Sequence, residues 1–308
     1  MTSTGLVVGA LQLAGLGAAP LLHGTVQHLE ARLQGRRGPS PTQPYRELRR
    51  LWGKSTVAPQ RATAIYRAAP AIVATCTALA LLLVPIGGVA PGWPTGGDAL
   101  VLVGLLTIAR FSIALAAWDT GSGFALMGAS RDLVFAVFIE GLLLLVVLLA
   151  ALPAGSTDLV AMSDAATGAQ PWREPAHWCA ALAFALAALA ETGRQPVDNP
   201  TTHLELTMVH EGPLLEHAGR ELALLQWSAA ARLWLMGLLA GALFLPQAGG
   251  FAARLAVLLV GLAALCVALA LVETGLAKMR ILRVPRFLAG GVALCLLGLV
   301  SAVGGLPA

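Results

Sequence analysis

The chain has 308 residues, 57% hydrophobic and 12% charged, with a formal net charge of +4. A soluble domain carries roughly 25% charged residues, and a chain of this length has too little interior to hide so much apolar surface, so a water-soluble globular protein is excluded and lipid must cover much of it. The positive charge sits in a few linkers between apolar stretches, with no basic patch interleaved with exposed aromatics, which removes nucleic acid as a partner.

Eight apolar stretches follow one another at 5–29, 68–89, 99–118, 133–152, 176–190, 222–245, 251–272 and 287–303. Most reach the ~20 residues that cross a bilayer. The fifth is the shortest, and Trp172 and Trp178 beside it suit an interfacial belt. The expected fold is an all-α integral membrane protein, one transmembrane domain over 1–308 with about eight transmembrane helices. No Lys or Arg precedes the first stretch and a basic cluster follows it, the pattern of an uncleaved anchor rather than a signal peptide. Of the 20 Lys and Arg, 16 lie in the linkers after the first, third, fifth and seventh stretches, nine of them within 30–67. The positive-inside rule puts those linkers in the cytoplasm and both termini outside, in the inner cell membrane.

Within the first linker, the segment 44–54 (PYRELRRLWGK) places Tyr45, Leu48, Leu51 and Trp52 on one helical face. It reads as an amphipathic helix lying in the cytoplasmic interface, with a solvated loop as the alternative.

Three charges fall inside apolar stretches: Arg110, Glu140 and Arg232. A central charge costs ~2.5–3.5 kcal/mol on insertion scales. Arg110 and Glu140 each lie eight residues from the inner ends of consecutive stretches, roughly 12 Å deep, so they are placed to pair. Two readings stay open, a static ion pair that fixes helix register and a protonatable Glu140 in a proton path. Further carboxylates gather towards the same side: Asp119, Asp132, Glu191, Asp198, Glu205, Glu211, Glu216 and Glu273.

The linker 191–220 is dense in charge. Asn199-Pro200 is a helix start, and a helix over 200–210 would align His203, Leu206, Thr207 and His210, with Gly212-Pro213 ending it. This segment is too polar for lipid and too apolar for a solvated loop, so it is expected to pack on protein, either between the spans or against a soluble partner. His203 and His210 are two turns apart, too far for a shared metal, and the zincin, P-loop, dinucleotide and nucleophile-elbow motifs are absent. Cys76, Cys179, Cys266 and Cys295 are scattered, with no C-x-x-C. No catalytic residue, metal site or cofactor is therefore expected in this chain.

Three segments carry a family likeness: 31–45 (ARLQGRRGPSPTQPY), 109–132 (ARFSIALAAWDTGSGFALMGASRD) and 190–206 (AETGRQPVDNPTTHLEL). Together they resemble the membrane subunit shared by complex I, its subunit 1 or bacterial H subunit, and the energy-converting group 4 [NiFe] hydrogenases. DTGSGF, MGASRD, TGR and the later KMRILRVPRF are similar to the hydrogenase branch, of the formate hydrogenlyase type. Gly212-Pro213, where a less broken helix is usual, and His217, where a tyrosine is usual, depart from the family pattern.

The resemblance implies a non-catalytic subunit that docks a soluble arm of [NiFe]-type large subunit, small subunit and iron–sulfur proteins, beside antiporter-like membrane subunits. The [NiFe] centre and iron–sulfur clusters would sit in those partners. Redox energy would enter the membrane along Glu140, Glu191, Asp198 and Glu205, with Arg110, Asp119 and Glu273 as further members of the proton path. Arg36, Arg37, Gly38 and Pro39, with Arg131, Arg194, His203 and His210, would hold the arm. Two other readings are a quinone-site subunit of a complex-I-like NADH dehydrogenase and a stand-alone secondary transporter, which would favour an internal repeat that the sequence lacks.

Overall fold

The computed structural model describes residues 3–60, 62–91, 97–167, 171–198 and 209–304. In chain order its helices are α1 (Ser3–Leu33), α2 (Gln43–Trp52), α3 (Ala64–Leu83), α4 (Ala99–Thr120), α5 (Gly123–Ala151), α6 (Leu159–Ala165), α7 (Pro175–Glu191), α8 (Gly219–Phe244), α9 (Phe251–Gly275) and α10 (Val284–Gly304). Among the described residues, seven helices are long and apolar enough to cross a membrane. The eighth apolar helix, α7, has 17 residues and so spans ~26 Å against a hydrocarbon core of ~30 Å.

Each expected apolar stretch is a helix, and two boundaries move for local reasons. α3 stops at Leu83 instead of running to 89, because Val84 precedes a proline and is extended at φ −75°, ψ 125°. α5 starts ten residues before 133, at Gly123. Gly121 closes α4 in the left-handed region at φ 68°, and Ser122 opens α5 at once. Arg131 and Asp132 therefore lie on a helix and not in a linker.

Cross-contacts sort the helix ends into two faces. On one, Asp119 accepts from the Thr63 amide and hydroxyl, the Tyr66 hydroxyl donates to Glu216 O, and the Met279 amide donates to Pro196 O. On the other, Gln12 donates to Val84 O and Arg254 to Gly87 O, while Asp98 bridges Asp158. The alternation expected from the charges is thus built: the basic linkers share one face.

Small residues let the helices close up. A Cβ on Gly291 of α10 would fall 2.6 Å from Leu142 of α5, and one on Gly298 would fall 2.7 Å from Leu149.

The segment at 44–54 does form a helix, α2, lying against α1 and α8 on the basic face. Leu51 is buried and Leu48 turns inward, but Tyr45 and Trp52 are exposed. Tyr45 instead reaches along α1, its hydroxyl donating to Gly17 O at 2.6 Å.

Candidate functional site

The site begins at a helix end. α7 closes on Glu191-Thr192-Gly193-Arg194, with the Arg194 amide bonded to Leu189 O and Gly193 at φ 61°, a Schellman cap that only glycine takes without strain. The cap reverses the chain. Glu191 is left facing α4 and α8, while Arg194 turns towards α1 and α9.

Glu191 is buried and takes the guanidinium of Arg110 in a direct ion pair. Arg110 Nε lies 3.8 Å from Glu140 Oε1, and Arg232 Nη1 lies 3.9 Å from Glu191 Oε1. Glu140 also accepts from the Thr107 hydroxyl at 2.9 Å. Its side chain is 20% exposed against 2% for Arg110, so it forms the outer end of this group.

Arg194 builds a second group. Its Nη1 donates to Glu273 at 2.9 and 3.1 Å, its Nη2 donates to His23 Nδ1 at 2.7 Å, and Glu30 stands 3.8 Å away.

Asp198 anchors a third group. Lys278 donates to it at 2.6 Å, and the amides of Val209 and His210 donate at 3.2 Å each. The His210 ring stands between two carboxylates, Nδ1 3.4 Å from Asp198 and Nε2 3.7 Å from Asp132. Gly193 packs flat on that ring: a Cβ there would lie 3.0 Å from it. Gly212 packs on Gly128 of α5, where a Cβ would lie 2.7 Å from the opposing Cα. Gly212-Pro213, read as a departure from the family pattern, is the piece that fits this contact.

A cavity of about 520 Å³ adjoins all three groups, between α1, α2, α8 and the chain following α7. His23, Glu191, Arg194, Asp198, His210 and Arg232 contribute its polar wall. His217 also lines it, stacked on Tyr66 with ring centroids 4.4 Å apart, and burial pushes its imidazole below the ordinary histidine range.

Of the expected proton-path residues, Arg110, Glu140, Glu191, Asp198 and Glu273 come together here. Asp119 does not. It caps the start of α3 through Thr63 and the Tyr66 amide. Glu205 and His203, and the expected helix over 200–210 apart from its last two residues, lie outside the described residues.

Of the expected docking residues, Arg36 and Arg37 are exposed on the turn after α1, which Gly38 and Pro39 pack against Ala31 and His28. Arg131 is half-buried on α5. Arg194 is corrected: it is buried in its pair with Glu273 and has no surface to offer a soluble arm. His210 too is turned inward, between its two carboxylates.

Sequence reading missed the roles of Asp132, Lys278, His23 and Glu30. The available signal was charge count, since each buried cation requires a carboxylate and the reverse.

Burial pushes the Asp198 carboxyl up, but hydrogen bonds from His210 and Lys278 and the Lys278 charge outweigh it and hold the group well below the ordinary carboxylate range. Stability from a depressed carboxylate is full above the unfolded value of ~3.9 and is lost as pH falls through the folded one. Asp198→Asn is expected to melt below the wild type in detergent at neutral pH, with the gap closing only below about pH 4. An offset that is the same at every pH would contradict this.

A family model described as NADH dehydrogenase matches residues 6–303 of this chain. The chain is 36% identical over 244 residues to hydrogenase-4 component C of Escherichia coli (strain K12), covering 78% of this chain and 76% of that protein. It is 31% identical over 299 residues to formate hydrogenlyase subunit 4 of the same organism, covering 92% and 94%. In fold it is similar to a chain of the membrane-bound sulfane sulfur reductase, an archaeal respiratory membrane complex, with a TM-score of 0.82, 24% identity and coverage of 94% and 96%.

Proposed function

Since the chain belongs to the NADH dehydrogenase family, we propose that it is the proton-coupling anchor of a hydrogenase-type, complex-I-like respiratory complex. Its relatives are subunits of such membrane assemblies, and two carry hydrogenase or formate hydrogenlyase names. On this reading it docks a soluble arm of [NiFe]-type large subunit, small subunit and iron–sulfur proteins, which carry the redox centres. Antiporter-like subunits lie beside it in the membrane. The basic face is cytoplasmic, both termini lie outside, and the membrane is the inner one. Arg36, Arg37 and the Gly38-Pro39 turn offer the exposed docking surface, with Arg131 at its edge.

The observation that carries the reading is the run of ionisable side chains through the bundle. Glu140, Arg110 and Glu191 pass inward from the outer end, and the 520 Å³ cavity joins them to Asp198 and to Arg194 with Glu273. Intramembrane charge is costly, and a run of it marks an ion path. Glu140→Gln keeps the size and removes the proton. It is expected to cut protons moved per electron on the order of 100-fold in proteoliposomes of the whole complex, with electron transfer by the arm retained. Undiminished translocation would leave Glu140 a structural pair.

The cavity favours a second reading, a quinone-site subunit, because its volume lies in the range of small-molecule sites of roughly 300–1,000 Å³. Purification of the complex in mild detergent decides between them. Stoichiometric nickel and iron support the hydrogenase anchor, whereas bound quinone and flavin without nickel support the other.

A further inference from the structure

A second cavity, of about 20 Å³, lies deeper between α4, α5, α8 and the segment after Val209. Its polar wall is Arg110, Asp132, His210 and Arg232, closed by apolar side chains that include Ile113 and Leu225. One water needs about 10–15 Å³ of such space, so the volume suits a single molecule and nothing larger.

Four buried atoms on those polar residues make no hydrogen bond among the described residues: Arg110 Nη1, Arg232 Nε, Asp132 Oδ1 and His210 Nε2. A guanidinium nitrogen only donates, a carboxylate oxygen only accepts, and a neutral imidazole with its proton on Nδ1 accepts at Nε2. The set is two donors and two acceptors, the complement of one water molecule. His210 Nε2 and Asp132 Oδ1 are 3.7 Å apart, too far for a direct hydrogen bond.

We propose that this pocket binds one structural water between Arg110, Arg232, Asp132 and His210, and that this water joins the Arg110 group to the Asp198 group. The site itself stands on geometry. Its role in proton movement rests on the function proposed above. When Asp132 takes up a proton, its O–H displaces one guanidinium from a lone pair of the water, and that guanidinium returns once the proton has passed on. A proton on Asp132 moves to the water as the water gives one to His210 Nε2, and the Nδ1 proton leaves for Asp198, which faces it at 3.4 Å. One proton crosses, the water is restored, and the imidazole returns to its starting tautomer by turning over.

The test is a structure of the intact complex at a resolution that shows ordered water, together with translocation measurements on His210→Gln and Asp132→Asn. The expected result is one density peak within hydrogen-bonding distance of all four side chains. In both variants, protons moved per electron should fall at least tenfold, the loss of one such group being worth on the order of 100-fold. No peak, or His210 bonded directly to Asp132, overturns the site. A peak with wild-type translocation in both variants overturns the junction. If His210→Gln fails to assemble, Asp132→Asn reads the same junction from α5. If Glu140→Gln loses translocation while both variants keep it, only this inference falls; if Glu140→Gln keeps it too, the broader reading falls as well.

Discussion

Arg110→Met is expected to destabilise the subunit by about 3–5 kcal/mol, the usual cost of leaving one partner of a buried ion pair uncompensated. Arg110 and Glu191 are both buried and in direct contact, and Glu140 approaches the same guanidinium. Methionine fills the space but leaves Glu191 facing only Arg232, 3.9 Å away. The effect should read as a lower melting temperature in detergent and less subunit retained in membranes. Adding Glu191→Gln should restore much of the loss, because the unpaired charge goes with it. A single variant that melts like the wild type would mean the pair contributes nothing net.

Gly128→Val should have the next largest effect, for a different reason. A Cβ at this position would stand 2.7 Å from the Cα of Gly212, a contact between backbones with no flexible side chain to give way. Overpacking of this kind costs about 1–3 kcal/mol. Here the strain has one outlet, displacement of the 209–214 segment from α5, which carries His210 away from Asp132. Both stability and translocation should fall, and protease should cut near His217 sooner. Gly104→Ala on α4, where a Cβ meets nothing within 4 Å, is the control that should change neither.

Much of the architecture was legible because lipid imposes it. Apolar runs had to be helices, and the alternation of basic linkers placed their ends on two faces. The start of α5 was hidden because Ser130, Arg131 and Asp132 look like linker residues. They are tolerated on a helix since Asp132 points to the interior, towards Arg110 and His210. The pairing of Arg110 with Glu140 could be inferred from two neighbouring stretches. The closer partner, Glu191, comes from α7, and no local spacing predicts which distant helix packs there. The family resemblance put Arg194 and His210 among the docking residues, on linkers rich in charge. Glu273 and Asp132, brought from far along the chain, are what allow them inside. TGR was visible as a motif, but its work, a cap that aims Glu191 and Arg194 at opposite groups, needed the backbone.

Asp198 holds the amides of Val209 and His210 while its own backbone follows the α7 cap, so one carboxylate clasps both ends of the intervening ten residues, 199–208. Mechanically this is a load cell. A pull on the Val209–His210 backbone from a bound neighbour would reach the Asp198 carboxylate and be shared at once with Lys278 and the imidazole.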